Sequence, residues 1–366
     1  MSRLELRTDL SVIENNARVI RERIPDDVKV MAVVKADAYG HGSVEVAKRL
    51  ENKHLANCFA VATAEEGARL RRNGIESEIL ILGYSDEEEM EIAIKNRLHV
   101  TIFSKDSLLL LKSISENARM KAKAHLKIET GMHRIGIAPG ADLKELLSVW
   151  KEISCVEMSG VFSHFSSADI DKQYTDTQFD LFLAACEMIT DFGFAPIRHI
   201  AASSAMFKAK YQLDMVRAGI ALYGVADGEI KPLVHPAQTL ITHPVRILNI
   251  KPHEKVGYSM NFEADRETAV MTVPCGYGDG YPRSLSNRAE ALVNGRRVKL
   301  IGNICMDMLM LDVTSAGYVD ERTEVVLMGA QGDERITPEE LSLLSGTIPY
   351  EIMLGFSDRV KKTWVY

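Results

Sequence analysis

The chain has 366 residues, of which 46% are hydrophobic and 26% charged, and it carries a formal net charge of −7. This length exceeds what one hydrophobic core usually serves, so two domains are expected, and the mild negative charge argues against a nucleic-acid-binding surface. The five cysteines (Cys58, Cys155, Cys186, Cys275, Cys305) are scattered, odd in number and without a C-x-x-C pair, which fits reduced thiols and excludes a disulfide frame or a zinc site. The start, MSRLELRTDL, has no apolar signal core, and no run of about 18 apolar residues occurs, so a cytoplasmic protein is expected.

In chain order, Leu10, Ile13, Ala17, Ile20 and Ile24 recur at helical spacing before an apolar run, Val28 to Val34, that reads as a buried strand. Glu45 to Leu50 begins the next helix, Cys58 to Ala62 is strand-like and Glu65 to Arg72 helical. Glu78 to Leu82, His99 to Phe103, His125 to Ile128, Ser159 to Ser163 and His199 to Ala202 continue the strands. The acidic run Asp86 to Glu89 reads as a solvated helix start, and Phe179, Phe182, Leu183, Cys186 and Ile189 share one helical face. Such alternation predicts βα units around a parallel sheet, an α/β fold. About eight strands in about 220 residues is the size of a (β/α)8 barrel. A doubly wound open sheet has the same local pattern, and periodicity does not choose between them.

After Lys231 the character changes. Pro232, Pro236, Pro244 and Pro252 crowd together and helical periodicity stops. Short alternating segments follow: Val245 to Ile250, Ala269 to Val273, Ala291 to Val293, Arg297 to Ile301, Met308 to Val313 and Val325 to Met328. Asn294-Gly295 between two of them signals a two-residue hairpin. The expected division is residues 1–230, with its first few residues free to pair elsewhere, and a mainly antiparallel β domain over 231–366.

The segment Val33-Val34-Lys35-Ala36-Asp37-Ala38-Tyr39-Gly40-His41-Gly42 carries the most chemistry. A lysine ending a buried strand is costly unless it is neutralised or bonded. Schiff-base chemistry uses such a lysine, because desolvation lowers the amine pKa and frees the lone pair. Small residues after later strands, Ala201-Ala202-Ser203-Ser204 and Arg217-Ala218-Gly219-Ile220, suit tight turns and equally suit backbone amides approaching a phosphate.

VVKADAYGHG resembles the pyridoxal 5'-phosphate (PLP) attachment motif of the alanine racemase family, and companion motifs recur in that family's order along essentially the whole chain. The resemblance implies a (β/α)8 barrel followed by a β domain. It implies an isomerase that interconverts L- and D-alanine, the D form being a peptidoglycan precursor, and a homodimer with shared active sites. Lys35 matches the lysine that holds PLP, with Tyr39, Ser203, Gly219 and Ile220 at phosphate-binding positions. Arg217, in R-x-G-I-x-x-Y-G, matches the arginine facing the pyridine nitrogen; a guanidinium there has no proton-accepting site and keeps the ring nitrogen unprotonated. Tyr258, in Val256-Gly257-Tyr258-Ser259, matches the catalytic tyrosine that comes from the opposite subunit. His164 matches the histidine linking that tyrosine to the arginine.

Thr130-Gly131-Met132-His133-Arg134-Ile135-Gly136 resembles the substrate-side arginine loop, which assigns Arg134 to the PLP phenolic oxygen and the substrate carboxylate. Lys127 matches a lysine that is often carbamylated in the family. Asn303-Ile304-Cys305-Met306-Asp307 resembles the second-subunit loop whose Met306 amide meets the carboxylate, and Tyr277 and Asp279 match a substrate-corridor segment. The chain departs from the family pattern at three places. Asp358 stands where a pocket tyrosine is usual, Asn303 where an arginine is common, and Ala202 where an asparagine is common. Losing the tyrosine widens the pocket, so a racemase preferring serine or a basic amino acid is the alternative substrate reading. A non-catalytic PLP-binding relative and a two-domain decarboxylase are the rival classes. No metal and no membrane or nucleic-acid partner is expected.

Overall fold

A computed structural model of the chain describes residues 2–366. These residues group into two compact units: Glu14–Ala38 with Gly42–Val234, and residues 2–13 with Tyr39–His41 and His235–Tyr366. The first strand, β1 (Leu4–Asp9), belongs to the second unit.

In the first unit, and among the described residues, eight strands follow: β2 (Lys29–Val33), β3 (Cys58–Val61), β4 (Glu78–Ile81), β5 (Val100–Ile102), β6 (Ala122–Lys127), β7 (Val156–Phe162), β8 (Ile197–His199) and β9 (Met215–Ala218). All their ladders are parallel, in the orders β4-β3-β2-β9 and β5-β6-β7-β8. The amide of Ile81 donates to His99 O (3.0 Å) and that of His99 to Ile79 O (2.8 Å), joining β4 to β5. The amide of Arg217 donates to Ala201 O (3.0 Å) and that of Asp214 to Arg198 O (3.2 Å), joining β8 to β9. The two ladders thus close into a (β/α)8 barrel, the choice that periodicity left open.

The outer helices start where a short polar side chain can replace a missing helical acceptor. Thr63, Asp86, Ser104 and Asp171 each accept from a backbone amide three residues on. Helix Lys105–Ala118 shows the full device: Ser104 Oγ accepts from Ser107 N, and Ser107 Oγ accepts from Ser104 N (both 3.1 Å). Its buried Leu108, Leu111, Ile114 and Ser115 fall three or four apart, which lays one stripe on the barrel.

The strand expected at His199–Ala202 ends instead at His199. The next residues give their carbonyls to other work: Ile200 O accepts from the Arg217 side chain and Ala202 O from Ala205 and Met206. Short 3-10 turns, Ala209–Tyr211 and Ile220–Tyr223, stand where long helices would otherwise follow β8 and β9.

The second unit is built on one sheet. Its strands are β10 (Gln238–Thr242), β11 (Arg246–Ile250), β12 (Lys255–Val256), β13 (Phe262–Glu263), β14 (Thr268–Val273), β15 (Glu290–Val293), β16 (Arg296–Ile301), β17 (Leu309–Asp312), β18 (Val325–Gln331), β19 (Glu334–Ile336) and β20 (Lys361–Val365). The main order is β11-β14-β17-β16-β15-β18-β10-β1-β20, with β19 on β18 and β12-β13 a separate hairpin. Asn294 (φ 53°) and Gly295 (φ 71°) turn β15 into β16, as the Asn-Gly pair predicts. β1 buries Leu4, Leu6 and Thr8 and leaves alternate residues half-exposed; Leu292, Leu300, Leu311 and Leu327 pack in the same core. Full burial of each such leucine contributes about 2 kcal/mol. Among the described residues no helix is long and apolar enough to cross a membrane, and no His/Cys/Asp/Glu cluster suits a metal ion.

Candidate active site

Lys35 lies one residue beyond the end of β2, after Val34, at the carboxyl ends of the barrel strands where barrel active sites are built. The chain then does something unusual for L-residues. Ala36, Asp37, Ala38 and Tyr39 all lie in the left-handed region, with φ of 50–55°. Each such residue costs roughly 1–2 kcal/mol. Specific bonds hold the turn: Ala36 N donates to Glu66 Oε1 (2.8 Å), Ser43 N to Asp37 Oδ1 (3.0 Å) and Gly42 N to Asp37 O (2.9 Å). Burial lowers the Lys35 amine pKa, and the Arg134 and Arg217 cations lower it further against an opposing pull from Glu66. That bias toward the neutral amine is what a nucleophilic lysine requires.

Arg217, on β9, is buried. Its Nη1 donates to His199 Nδ1 (2.9 Å) and His199 O (3.2 Å). Its Nη2 donates to Ser163 O (2.7 Å), Ile200 O (2.8 Å) and His164 Nδ1 (3.1 Å). All these bonds run from Nη1 and Nη2, so Nε–H is the donor left for a ligand. Burial and the Arg134 charge pull the guanidinium pKa down to about 9, which still leaves it a cation at neutral pH. Because Arg217 can only donate, His164 Nδ1 is an acceptor and Nε2 carries the hydrogen of the neutral ring. Burial, then Arg217, holds His164 well below the usual histidine range.

Lys127 ends β6, buried, with Nζ 4.4 Å from the centre of the Phe162 ring. Burial first, then Arg217 and Arg134, push its amine far below the ordinary lysine value. The following loop is organised by Glu129, whose carboxylate accepts from the amides of Gly131, Met132 and His133. Thr130 Oγ1 bonds Ser163 Oγ (2.7 Å), and Tyr174 OH donates to Gly131 O (2.8 Å). Arg134 leaves this loop exposed, close enough to lower the pKa of both lysines. Ser203 Oγ accepts from Gly219 N (3.1 Å) and Ala221 N (3.4 Å), with Ile220 between them. A hydroxyl and clustered amides form a donor set that suits phosphate.

The structure therefore gathers Lys35, Lys127, Arg134, His164, Ser203, Arg217, Gly219 and Ile220 at one end of the barrel unit. Tyr39, Tyr258, Met306 and Asp358 belong to the β unit. There Tyr39 is buried with its ring centre 5.7 Å from that of Tyr350, and burial raises its phenol pKa. Its neighbours are tied down by Gln238 Nε2 donating to Gly40 O (3.0 Å) and Trp364 Nε1 to His41 O (2.7 Å). Tyr258 sits 71% exposed at the tip of the β12-β13 hairpin. Asn303 Nδ2 donates to Tyr258 O, and Asn303 Oδ1 accepts from Asn261 Nδ2 (both 2.8 Å), so this departure from the family pattern clamps the hairpin tip. The Met306 carbonyl accepts from Gly278 N (2.8 Å) while its side chain is exposed. Asp358 is exposed, and it has no ion pair or hydrogen bond among the described residues. The adjacent Arg359 is engaged with Asp307 (2.6 Å) and Asp279 (3.4 Å).

Asp279 corrects an expectation. It does not line a corridor: it is fully buried, accepts both Arg3 guanidinium bonds (2.9 and 2.8 Å) and caps Gly276 N (3.0 Å). Sequence reasoning also passed over Ser163, Thr130 and His199, which fix Arg217 and its surroundings. The available signal was a histidine or serine closing an apolar strand.

A barrel with a strand-end lysine whose amine pKa is lowered by burial, a buried arginine holding one free donor, and a serine-and-amide phosphate cradle defines a class: barrel proteins that bind PLP through a lysine. Comparison with known proteins narrows this. The model of "Alanine racemase, N-terminal domain" matches residues 8–227 and that of "Alanine racemase, C-terminal domain" residues 237–364. The chain is 37% identical to the alanine racemase of Methanococcus maripaludis, covering 98% of this chain and 97% of that protein. It is also 37% identical to the Cutibacterium acnes alanine racemase, covering 98% and 96%. Among solved structures, alanine racemase of Clostridium difficile superposes with a TM-score of 0.93 at 32% identity, covering 100% of this chain and 96% of that one. Alanine racemase of Bacillus anthracis with bound L-Ala-P gives 0.92 at 35% identity, with the same coverage. The chain belongs to the alanine racemase family.

Proposed function

We propose that this protein is a PLP-dependent alanine racemase that uses two bases, Lys35 and Tyr258 of the partner subunit. The observation that carries the reading is Lys35, a strand-end amine biased toward neutrality by burial and by two arginines. When bound, PLP supplies the carbonyl that condenses with the amino acid and makes its Cα proton acidic. Lys35 Nζ then holds or moves a proton on one face of Cα. Inversion requires a second group on the other face, and Tyr258 Oη fills that role. His164, bonded to Arg217 through Nδ1, would offer its Nε2–H to that phenol oxygen, and Arg217 would offer its Nε–H to the pyridine nitrogen of PLP. Ser203, Gly219 and Ile220 would hold the phosphate, with Tyr39 the further donor that the family pattern adds. The amide of Met306 of the partner subunit and Arg134 would receive the substrate carboxylate. The boundary near residue 230 falls between the two family matches.

A homodimer follows from this chemistry. Tyr258, Met260, Met306 and Met308 are exposed apolar residues of the β unit, and Tyr258 borders a groove of about 590 Å³ lined by Leu248, Ile250, Val256 and Met310. The test is complementation. Lys35→Ala and Tyr258→Phe homodimers are each inactive, whereas mixed dimers hold one intact site, so random exchange should restore roughly a quarter of wild-type activity. Failure to complement would place both bases on one protomer. A carbamate on Lys127 belongs to this reading: burial favours the unprotonated amine, which would add to CO2 and lose a proton to solvent, and the anionic product would pair with Arg134; 13C-bicarbonate labelling and NMR would detect it. The protein works in the cytoplasm.

The free carboxylate of Asp358 favours a second substrate reading. With no protein cation committed to it, Asp358 is available to serine's hydroxyl or a basic side chain. Cα-proton exchange in D2O should then be faster with serine, lysine or arginine than with alanine, and Asp358→Tyr should restore alanine preference. Unchanged substrate ratios would dismiss the idea.

A further inference from the structure

The barrel interior contains a column of histidines that the proposed reaction does not use. His199 Nε2 lies 2.9 Å from His125 Nδ1, and His125 Nε2 lies 3.2 Å from His99 Nδ1. His99 Nε2 faces Glu78 Oε1 at 3.6 Å, and Glu78 in turn accepts from Lys123 Nζ at 2.8 Å. The column thus runs from Arg217 to a cavity of about 310 Å³ bordered by Lys29, Glu78, Lys123 and Glu157. All three rings are nearly inaccessible to solvent.

The direction of every bond follows from one fact: a guanidinium only donates. Arg217 Nη1 donates to His199 Nδ1, so the neutral His199 carries its hydrogen on Nε2 and donates to His125 Nδ1. By the same step His125 donates from Nε2 to His99 Nδ1, and His99 presents Nε2–H to the Glu78 carboxylate. Burial keeps the rings neutral, holding His125 and His199 far below the usual range and His99 at about 4. Packing fixes the stack. Phe162 lies flat on His199, with centres 5.0 Å apart and planes 2° from parallel. The His125 ring occupies the space that a side chain at Gly160 would take, at the point where the β6-β7 register shifts.

We infer that His199, His125 and His99, ending on Glu78, are positioning residues: a one-way hydrogen-bond column that orients the Arg217 guanidinium from the far mouth of the barrel. If His99 loses its acceptor nitrogen, the Nε2–H of His125 is left as a buried donor without a partner; the column then either keeps that orphan or switches tautomers, which carries the defect to a donor–donor contact at Arg217, and both populations are expected. Only the final step, in which Arg217 meets the cofactor, rests on the racemase reading.

The experiment uses PLP-loaded protein labelled with [15N]histidine, as wild type, His99→Leu and His99→Gln. Wild type should show His99, His125 and His199 as Nε2–H tautomers at neutral pH. His99→Leu should give mixed tautomers at His125 and His199 and lower kcat roughly tenfold with KM for alanine nearly unchanged, the pattern of a misplaced group. His99→Gln, whose Oε1 can accept from His125, should restore both the tautomers and kcat. An Nδ1–H tautomer or a charged ring at His125 or His199 in wild type, or a His199 signal indifferent to His99→Leu, would overturn the column. Wild-type racemisation, measured in the same samples, reports separately on the proposed function.

Discussion

The two units solve opposite problems with their interiors. The β unit fills its centre with leucine, isoleucine and valine, and the buried carboxylate Asp279 is fully paired. The barrel buries Lys127, Arg217, His99, His125 and His199 where a β/α barrel ordinarily packs branched aliphatics. Its strands therefore give up hydrophobic stabilisation to hold cations and imidazoles out of water, and each group is kept by aimed acceptors, neutralised or stacked. The β unit buries fewer such groups, His41 and Asp279 among them, and the residue proposed as its second base, Tyr258, stands exposed. One unit perturbs its ionisable groups by desolvation, and the other holds an exposed tyrosine on a clamped hairpin.

The sharpest way to break this contrast is at the two proposed bases. Lys35→Ala should abolish racemisation, a loss above about 10³-fold, and leave the thermal midpoint unchanged or raised, because it removes a desolvated amine. Tyr258→Phe should lower kcat by about 10²–10⁴-fold with little change in the stability of the protomer, in which the ring is exposed. Proton exchange in D2O read for each enantiomer separately should become one-sided in Tyr258→Phe. Symmetric loss on both faces would mean that one group serves both.

In the β unit the largest effect should come from its buried charge. Asp279→Ala removes the carboxylate that holds Arg3, Arg359 and the Gly276 amide, and should cost about 3 kcal/mol in urea unfolding. Because Gly278 also fixes the Met306 carbonyl, the variant should raise KM more than it lowers kcat. A stability change under about 0.5 kcal/mol would make Asp279 an ordinary surface-type ion pair.

Acid should separate the two interiors next. A histidine whose folded pKa lies below its unfolded value of about 6.5 takes up its proton first in the unfolded chain, so stability is complete above about pH 7 and falls as pH drops below 6.5 toward the folded values. His99, His125, His164 and His199 are all shifted downward, His99 to about 4. Each should remove about 1 kcal/mol between pH 7.5 and 5.5, well before the carboxylates titrate. Equal urea midpoints at the two pH values would mean that the rings are charged or solvated in the folded protein.

The legible parts of this molecule were those with a local signature. Lys35 at the end of an apolar run, the alternation of strands and helices, and Asn294-Gly295 all announce themselves within a few residues. The left-handed turn does not, because Ala36-Asp37-Ala38 contains no glycine and its conformation is imposed by Glu66 and Ser43. Nor does the histidine column: His99, His125 and His199 close or open apolar strands like any boundary residue, and only barrel closure brings their rings within bonding distance. Tyr258 and Met306 were readable through the family resemblance alone, since an exposed tyrosine in a hairpin carries no chemical mark. Asp279 was misplaced because the family resemblance set it in a corridor segment, and its pairing with Arg3, from the other end of the chain, leaves no local mark in the sequence.

The smallest predicted effect tests whether the barrel's shell is independent of its reactive interior. Ser104→Ala removes one side of the reciprocal cap of helix Lys105–Ala118 and should destabilise by about 1 kcal/mol. The helix packs through Leu108, Leu111 and Ile114, none of which touches the titratable column through a hydrogen bond. The lost cap should therefore lower the unfolding midpoint while kcat, KM and the histidine tautomers stay at wild-type values. A fall in kcat with the midpoint would show that shell and interior share one cooperative unit. In that case the barrel's tolerance for buried cations would depend on the rigidity of its helices as much as on the acceptors around Arg217.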